Sequence, residues 1–130
     1  MTSADDRADR PTYLDSRPTI EVADLPAALA FLNDVAGLDT EVVMGEPPTF
    51  AILASGEAGI GLVEVAAPAL PQGVACYFTL TGLDALIERI EAAGLSLTEG
   101  PTTRPWALRD IVLPCPGGGP LLAFGEPVTT

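Results

Sequence analysis

The sequence predicts an α+β fold of two βαβββ modules, whose curved mixed sheets surround a cup with the helices on their outer faces. Three observations predict it. Two segments carry apolar residues at helical spacing, and each is followed by short strand-like runs punctuated by Gly and Pro. The order of elements in the first half returns in the second. The letters also repeat: PAALAFLNDVAGL (Pro26–Leu38) matches DALIERIEAAGL (Asp84–Leu95), and the strands before them align Ile20 with Phe78 and Val22 with Leu80.

Each element has a local cause. Thr19–Val22 is a short β-branched run. Asp24 then stands where an N-cap belongs, with Pro26 in the first helical turn. Leu25, Ala28, Leu29, Leu32 and Val35 share one helical face, and Gly37 stops the helix. Strands are expected at Thr40–Met44, Thr49–Ala54 and Ile60–Val65, separated by the turns GEPP and SGEAG. The second module has a strand at Val74–Leu80 and a helix with Leu83, Leu86, Ile87 and Ile90 on one face, stopped by Gly94. Strands at Ser96–Glu99, Ala107–Leu113 and Leu121–Phe124 complete it. A sheet with a helix on one face leaves the other face to be covered or to bind a ligand, and two such sheets can curve into a cup.

At 130 residues the chain is one domain. Residues 1–17 are polar and charged and read as an arm. Residues 18–130 form the domain, with module one at 18–66 and module two at 73–127. The apolar content of 48% and mean hydropathy of +0.35 supply a core. No apolar run reaches the roughly 20 residues of a membrane helix. The first residues lack the apolar stretch of a signal peptide, so the expected location is the cytoplasm, away from membranes.

Charge and missing residue types exclude more than they assign. The net charge is −12, with six Arg and no Lys, which disfavours nucleic acid. It favours a cationic small molecule, or simply solubility. The chain has no His, which removes the commonest general base and transition-metal ligand, and with them Ser-His-Asp and Cys-His catalysis. Cys76 reads as a small buried hydrophobe and Cys115 as a turn residue, and two Cys make no disulfide framework.

Three stretches, IEVADLPAALAFLNDVAGL, YFTLTGLDALIERIEAAGL and PWALRDIVLPCPGGGPLLAFGEP, make the chain resemble the vicinal oxygen chelate superfamily, the glyoxalase / bleomycin-resistance / dioxygenase group. The resemblance runs from about Pro18 to Pro127. It implies paired βαβββ modules, commonly in a homodimer with cups at or near the interface. Its enzymes hold a divalent metal with His and Glu ligands. The matching positions here are Arg17, Ala75 and Leu122, with Glu64 or Leu62 at the remaining one. At most one carboxylate survives, where such a site needs three or four donors. The resemblance is therefore to the metal-free branch, whose members bind drugs such as bleomycin without chemistry, and no cofactor is expected. The usual acidic DPDGN turn is Cys115-Pro116-Gly117-Gly118-Gly119, and the usual Gly after the Pro-Trp pair is Ala107.

Strand alternation assigns faces. Ile20, Val22, Cys76, Phe78 and Leu80 are expected toward the helices. Thr19, Glu21, Tyr77 and Thr79 are expected toward the cup, with Phe50 and Ile52 as walls. Leu122 and Phe124 would stand where relatives carry the metal-binding Glu. The candidate ligand-binding residues are thus Trp106, Tyr77, Thr79, Phe50, Glu64, Glu21, Leu122 and Phe124. Each has a structural alternative. Trp106 packs a loop–strand junction equally well, Tyr77 caps a core edge, Phe50 and Phe124 fill the core, and Glu21 and Glu64 are solvated strand acids. Arg109 and Asp110 are adjacent and must point to opposite faces, with surface pairing as their default.

The function expected first is a metal-free small-molecule binder that sequesters a cationic or aromatic antibiotic-like ligand, as a homodimer. The alternative is a glyoxalase-like lyase or isomerase with an atypical metal or a carboxylate base at Glu64 or Glu21. A third reading is a degenerate partner-binding domain with a closed cup.

Overall fold

The structure, a computed structural model, describes residues 9–128. The expected arm at residues 1–17 therefore falls partly outside the described residues. Its described part has no strand or helix, and Tyr13 and Leu14 point into solvent rather than docking on the body.

Two open, curved sheets of four strands each form the scaffold. The first contains β1 (Thr19–Val22), β2 (Asp39–Met44), β3 (Phe50–Ser55) and β4 (Ala58–Glu64), in the order β1-β4-β3-β2. The second contains β5 (Val74–Thr79), β6 (Glu99–Thr103), β7 (Leu108–Pro114) and β8 (Leu121–Pro127), in the order β5-β8-β7-β6. In each sheet the first strand lies parallel to the last and the other pairings are antiparallel. One helix per module carries the chain from one sheet edge to the other. These are α1 (Leu25–Ala30) with a π turn at Phe31–Val35, and α2 (Leu83–Ala92). This is the expected α+β architecture of two βαβββ modules. Among the described residues no helix is long and apolar enough to cross a membrane.

The first helix begins as its sequence requires. The Asp24 side chain accepts from the Ala27 amide at 3.1 Å, and a second carboxylate, Glu64 on β4, accepts from the Leu25 amide at 2.8 Å. Two anions thus satisfy two of the N–H groups a helix start leaves open. The helix ends in the π turn, where the Ala36 amide reaches the Phe31 carbonyl at 2.9 Å. Phe31, the first residue of the π turn, lies at the edge of the face defined by Leu25, Ala28 and Leu32 and is buried at 3% exposure.

The two modules share one core. Ile20, Val22, Leu53, Ile60 and Leu62 from the first sheet share one buried cluster with Phe78, Ile111, Leu113, Leu122 and Phe124 from the second and with the apolar residues of both helices. Phe124 is the joint. It stacks on Phe78 with ring centroids 5.1 Å apart and meets Phe31 edge-on at 6.4 Å. The glycine turn between β7 and β8 is a second joint. The Gly117 carbonyl accepts from the Ala23 and Asp24 amides at 2.8 and 3.0 Å. A Cβ at Gly117 would come within 2.4 Å of the Asp24 carbonyl, so only glycine allows this approach.

Two strands depart from expectation. Ser96–Glu99 is not a strand. β6 starts at Glu99 and runs through Gly100 and Pro101, which an edge strand tolerates because half its backbone groups face solvent. Leu95 and Leu97 instead pack against the core. In the β6–β7 turn, Ala107 adopts φ 66°, a left-handed conformation that costs a residue bearing Cβ about 1–2 kcal/mol. Ala107→Gly is expected to raise stability by up to about 1 kcal/mol, read as a higher urea midpoint at unchanged slope.

Candidate functional site

Register and burial together identify the faces away from the helices. On the first sheet, strand partners place Met44, Phe50, Val63 and Glu21 in one row, and Val42, Ile52, Gly61 and Thr19 in the next. Phe50 and Ile52 therefore do line this face. It is apolar and only partly covered, with Met44 56% exposed. Thr19 and Glu21 lie on it as well, but the Glu21 carboxylate accepts from the Ala69 amide at 2.7 Å and ties down the inter-module linker.

On the second sheet the rows are Tyr77–Ala123–Val112–Glu99 and Thr79–Gly125–Asp110–Thr102. Val112, Ala123 and Asp110 are buried but stand apart from the main core cluster. What covers them is a polar network. The Tyr77 hydroxyl donates to Asp110 Oδ2 at 2.8 Å. Arg104 Nε donates to Asp110 Oδ1 at 3.0 Å, and its Nη2 reaches Glu99 at 2.5 Å. Asp110, at 2% exposure, is the one buried charged residue among those described. Both its oxygens are satisfied, as a buried carboxylate requires. Arg109, on the opposite face, pairs with Asp84 of α2 at 2.9 Å, so the adjacent pair does split across the strand.

Gly125 is what allows the network to form. Tyr77 starts on β5 and must cross β8 to reach β7. A Cβ on Gly125 would fall 2.2 Å from the Tyr77 hydroxyl oxygen. Burial, followed by the bond to Asp110, raises the Tyr77 phenol from 10.0 to about 12. Gly125→Ala is expected to push the ring off Asp110, and NMR titration of the Tyr77 ring carbons should then give a value well below 12. The sign for stability follows. The unfolded phenol ionises near 10 while the folded one holds its proton to about 12. The stabilisation by Tyr77 is complete below the lower value and is lost as pH rises toward the upper one.

Three expected site residues, Leu122, Phe124 and Glu64, lie on the helix side rather than facing the cup. Leu122 and Phe124 do not face the cup. They pair with Cys76 and Phe78 along the parallel β5–β8 ladder, lie on the helix side and are buried there. Glu64 shares the helix side with Ile60 and Leu62 and caps α1. Trp106 sits at 62% exposure in the β6–β7 turn. Thr79 lies on the expected face near the sheet end. Sequence reading passed over Asp110, Arg104 and Glu99 as site residues. An Arg-Asp pair inside an otherwise apolar strand was the available signal, since a mid-strand charge demands a partner.

The donor set does not fit a metal. Arg17 pairs with Asp15, Ala75 carries no donor, and Leu122 is in the core. Among the described residues no three His, Cys, Asp or Glu side chains converge. Cys76 and Cys115 are buried, and burial pushes their thiols up to about 11 and about 12, away from reactive thiolates.

The sequence profile of the Glyoxalase/Bleomycin resistance protein/Dioxygenase superfamily matches residues 16–124. The chain belongs to this superfamily. Its solved relatives are distant and support the fold. Lactoylglutathione lyase from Agrobacterium tumefaciens is 22% identical, with 90% of this chain and 96% of that one covered and a TM-score of 0.68. TnmS3, an antibiotic binding protein from Streptomyces sp. CB03234, is 19% identical, with 91% and 98% covered and a TM-score of 0.71. A glyoxalase-related enzyme from Clostridium phytofermentans is 18% identical, with 92% and 99% covered and a TM-score of 0.73. Among curated proteins no sequence matches the chain. Within the glyoxalase/bleomycin resistance fold, the faces carrying Phe50, Ile52, Tyr77 and Asp110 are those turned away from the helices.

Proposed function

We propose that this superfamily member is a metal-free small-molecule-binding protein that sequesters a cationic or aromatic ligand on the helix-free sheet faces. The observation that carries the reading is the makeup of those faces. Apolar and aromatic side chains line both faces, Met44, Phe50, Ile52 and Val63 on the first sheet and Tyr77 on the second, and among the described residues no three metal donors converge. Aromatic walls supply most of the affinity and a few fixed polar groups set orientation. The net charge of −12 draws a cation toward the surface.

A second copy completes the site in this reading. β2 is an edge strand exposed along its whole length, with Val42, Val43 and Met44 uncovered. A homodimer that lays one copy against this strand covers it and closes the apolar face. Catalysis by Glu64 or Glu21 is disfavoured, because each carboxylate is already bonded to a backbone amide.

Thermal-shift screening against cationic, planar and peptide-like antibiotics tests the reading. At least one class is expected to raise Tm in a dose-dependent way, in EDTA as well as without it. No shift from any class, or a shift that requires added metal, contradicts it.

A further inference from the structure

A cavity of about 440 Å3 lies on the opposite side of the second sheet from Tyr77 and Asp110, where the two modules meet. It is bounded by the end of the π turn at Val35–Leu38, the β3–β4 turn at Ser55 and Ala58, and the start of α2. Phe78, Phe124, Leu38 and Leu86 give it apolar walls, and Ser55 and Thr81 stand at its polar edge. Its size lies in the range of pockets that hold small organic ligands.

The charge here is reversed relative to the rest of the molecule. The chain carries 18 acids, yet among the described residues no Asp or Glu lines this cavity and its one charged residue is Arg89. Among the described residues Arg89 is in no ion pair, unlike Arg17, Arg104 and Arg109. Its side chain leans back along α2, as helical side chains do, and its Nη1 lies beside Gly37 across the gap between modules. Glu126 accepts from the Gly82 amide at 2.6 Å and does not line the cavity.

We infer that this inter-module cavity is a second binding site, distinct from the helix-free faces, for a compact apolar monocarboxylate. The apolar body fills the space over Phe78 and Leu86 while the carboxylate takes the guanidinium of Arg89. A planar carboxylate suits a planar guanidinium, and an unpaired Arg in an acid-free cavity selects an anion that the rest of the surface repels.

The test uses 1-naphthoate as probe, followed by 1H–15N NMR on the full chain. Saturable shifts are expected at Gly37, Ala58, Gly82 and Ala85, with Tyr77 and Asp110 unmoved. Arg89→Gln should weaken binding about tenfold or more, because a charge-assisted bond is lost. Ala85→Phe should abolish binding by filling the space. Both positions are exposed, so an unchanged Tm shows that the variants fold. Three results overturn the inference: no saturable shift at millimolar probe, equal binding of 1-naphthylmethylammonium, or an Arg89→Gln variant that binds as well as the parent. Shifts centred on Tyr77 and Asp110 assign the probe to the other site and overturn it equally.

Discussion

Phe124→Ala is expected to destabilise the protein by about 3–5 kcal/mol, the usual cost of emptying a buried aromatic site. Phe124 is 2% exposed and touches both a ring of its own module and one of the other. Its loss leaves Phe78 and Phe31 facing a void that closes only if the modules shift. The urea midpoint should fall by an amount typical of a core variant. A residue lining an open cup would behave otherwise, since its truncation leaves stability within about 0.5 kcal/mol and changes only ligand affinity. A small stability loss would therefore return Phe124 to the cup and undo the assignment of faces on β8.

The second large effect concerns Arg104. Arg104→Ala leaves Asp110 buried with the Tyr77 hydroxyl as its remaining partner, and a buried carboxylate stripped of its cation is destabilising. The Arg104 side chain is 24% exposed, so water meets part of the loss, and a clear fall in the urea midpoint is expected. Asp110→Leu combined with Arg104→Met should cost less than the sum of the two single changes, because no charge is then stranded. A double-mutant cycle in urea measures the coupling. Additive costs would mean that the pair is independent and that the network does not organise this face.

Both predictions depend on information the sequence carried unevenly. The two helices and the strand order were legible because period and punctuation agree: Asp24 caps, Gly37 and Gly94 stop, and apolar faces recur in both halves. The π turn was not, because nothing in FLNDV distinguishes it from an α turn. The face of β8 was illegible for a different reason. Leu121 through Phe124 are all apolar, since a central strand buries both sides, so alternation carries no sign there. Parallel pairing with β5 fixes it: Cys76 and Phe78 face the helices, and Leu122 and Phe124 follow them.

The network on the helix-free face was harder to see. Tyr77, Arg104 and Asp110 belong to separate segments, and Gly125 matters only because Tyr77 crosses it. No spacing rule brings them together. The turn CPGGG looks inert as a sequence, yet Gly117 docks one module on the other. Glu64 and Glu21 looked like free acids and proved to be committed to backbone amides. Residues that pair at long range are invisible to local reasoning, whereas the demand of a buried charge for partners is visible in principle.

The most direct test of metal-free binding on the helix-free faces is a 1H–15N NMR map of the antibiotic that gives the largest thermal shift. It should be recorded on EDTA-stripped protein and again with added zinc. Saturable perturbations are expected at Phe50, Ile52, Tyr77 and Val112, identical in the two samples. Perturbations that appear only with zinc, or that centre on Gly37, Gly82 and Arg89, would contradict metal-free binding on those faces.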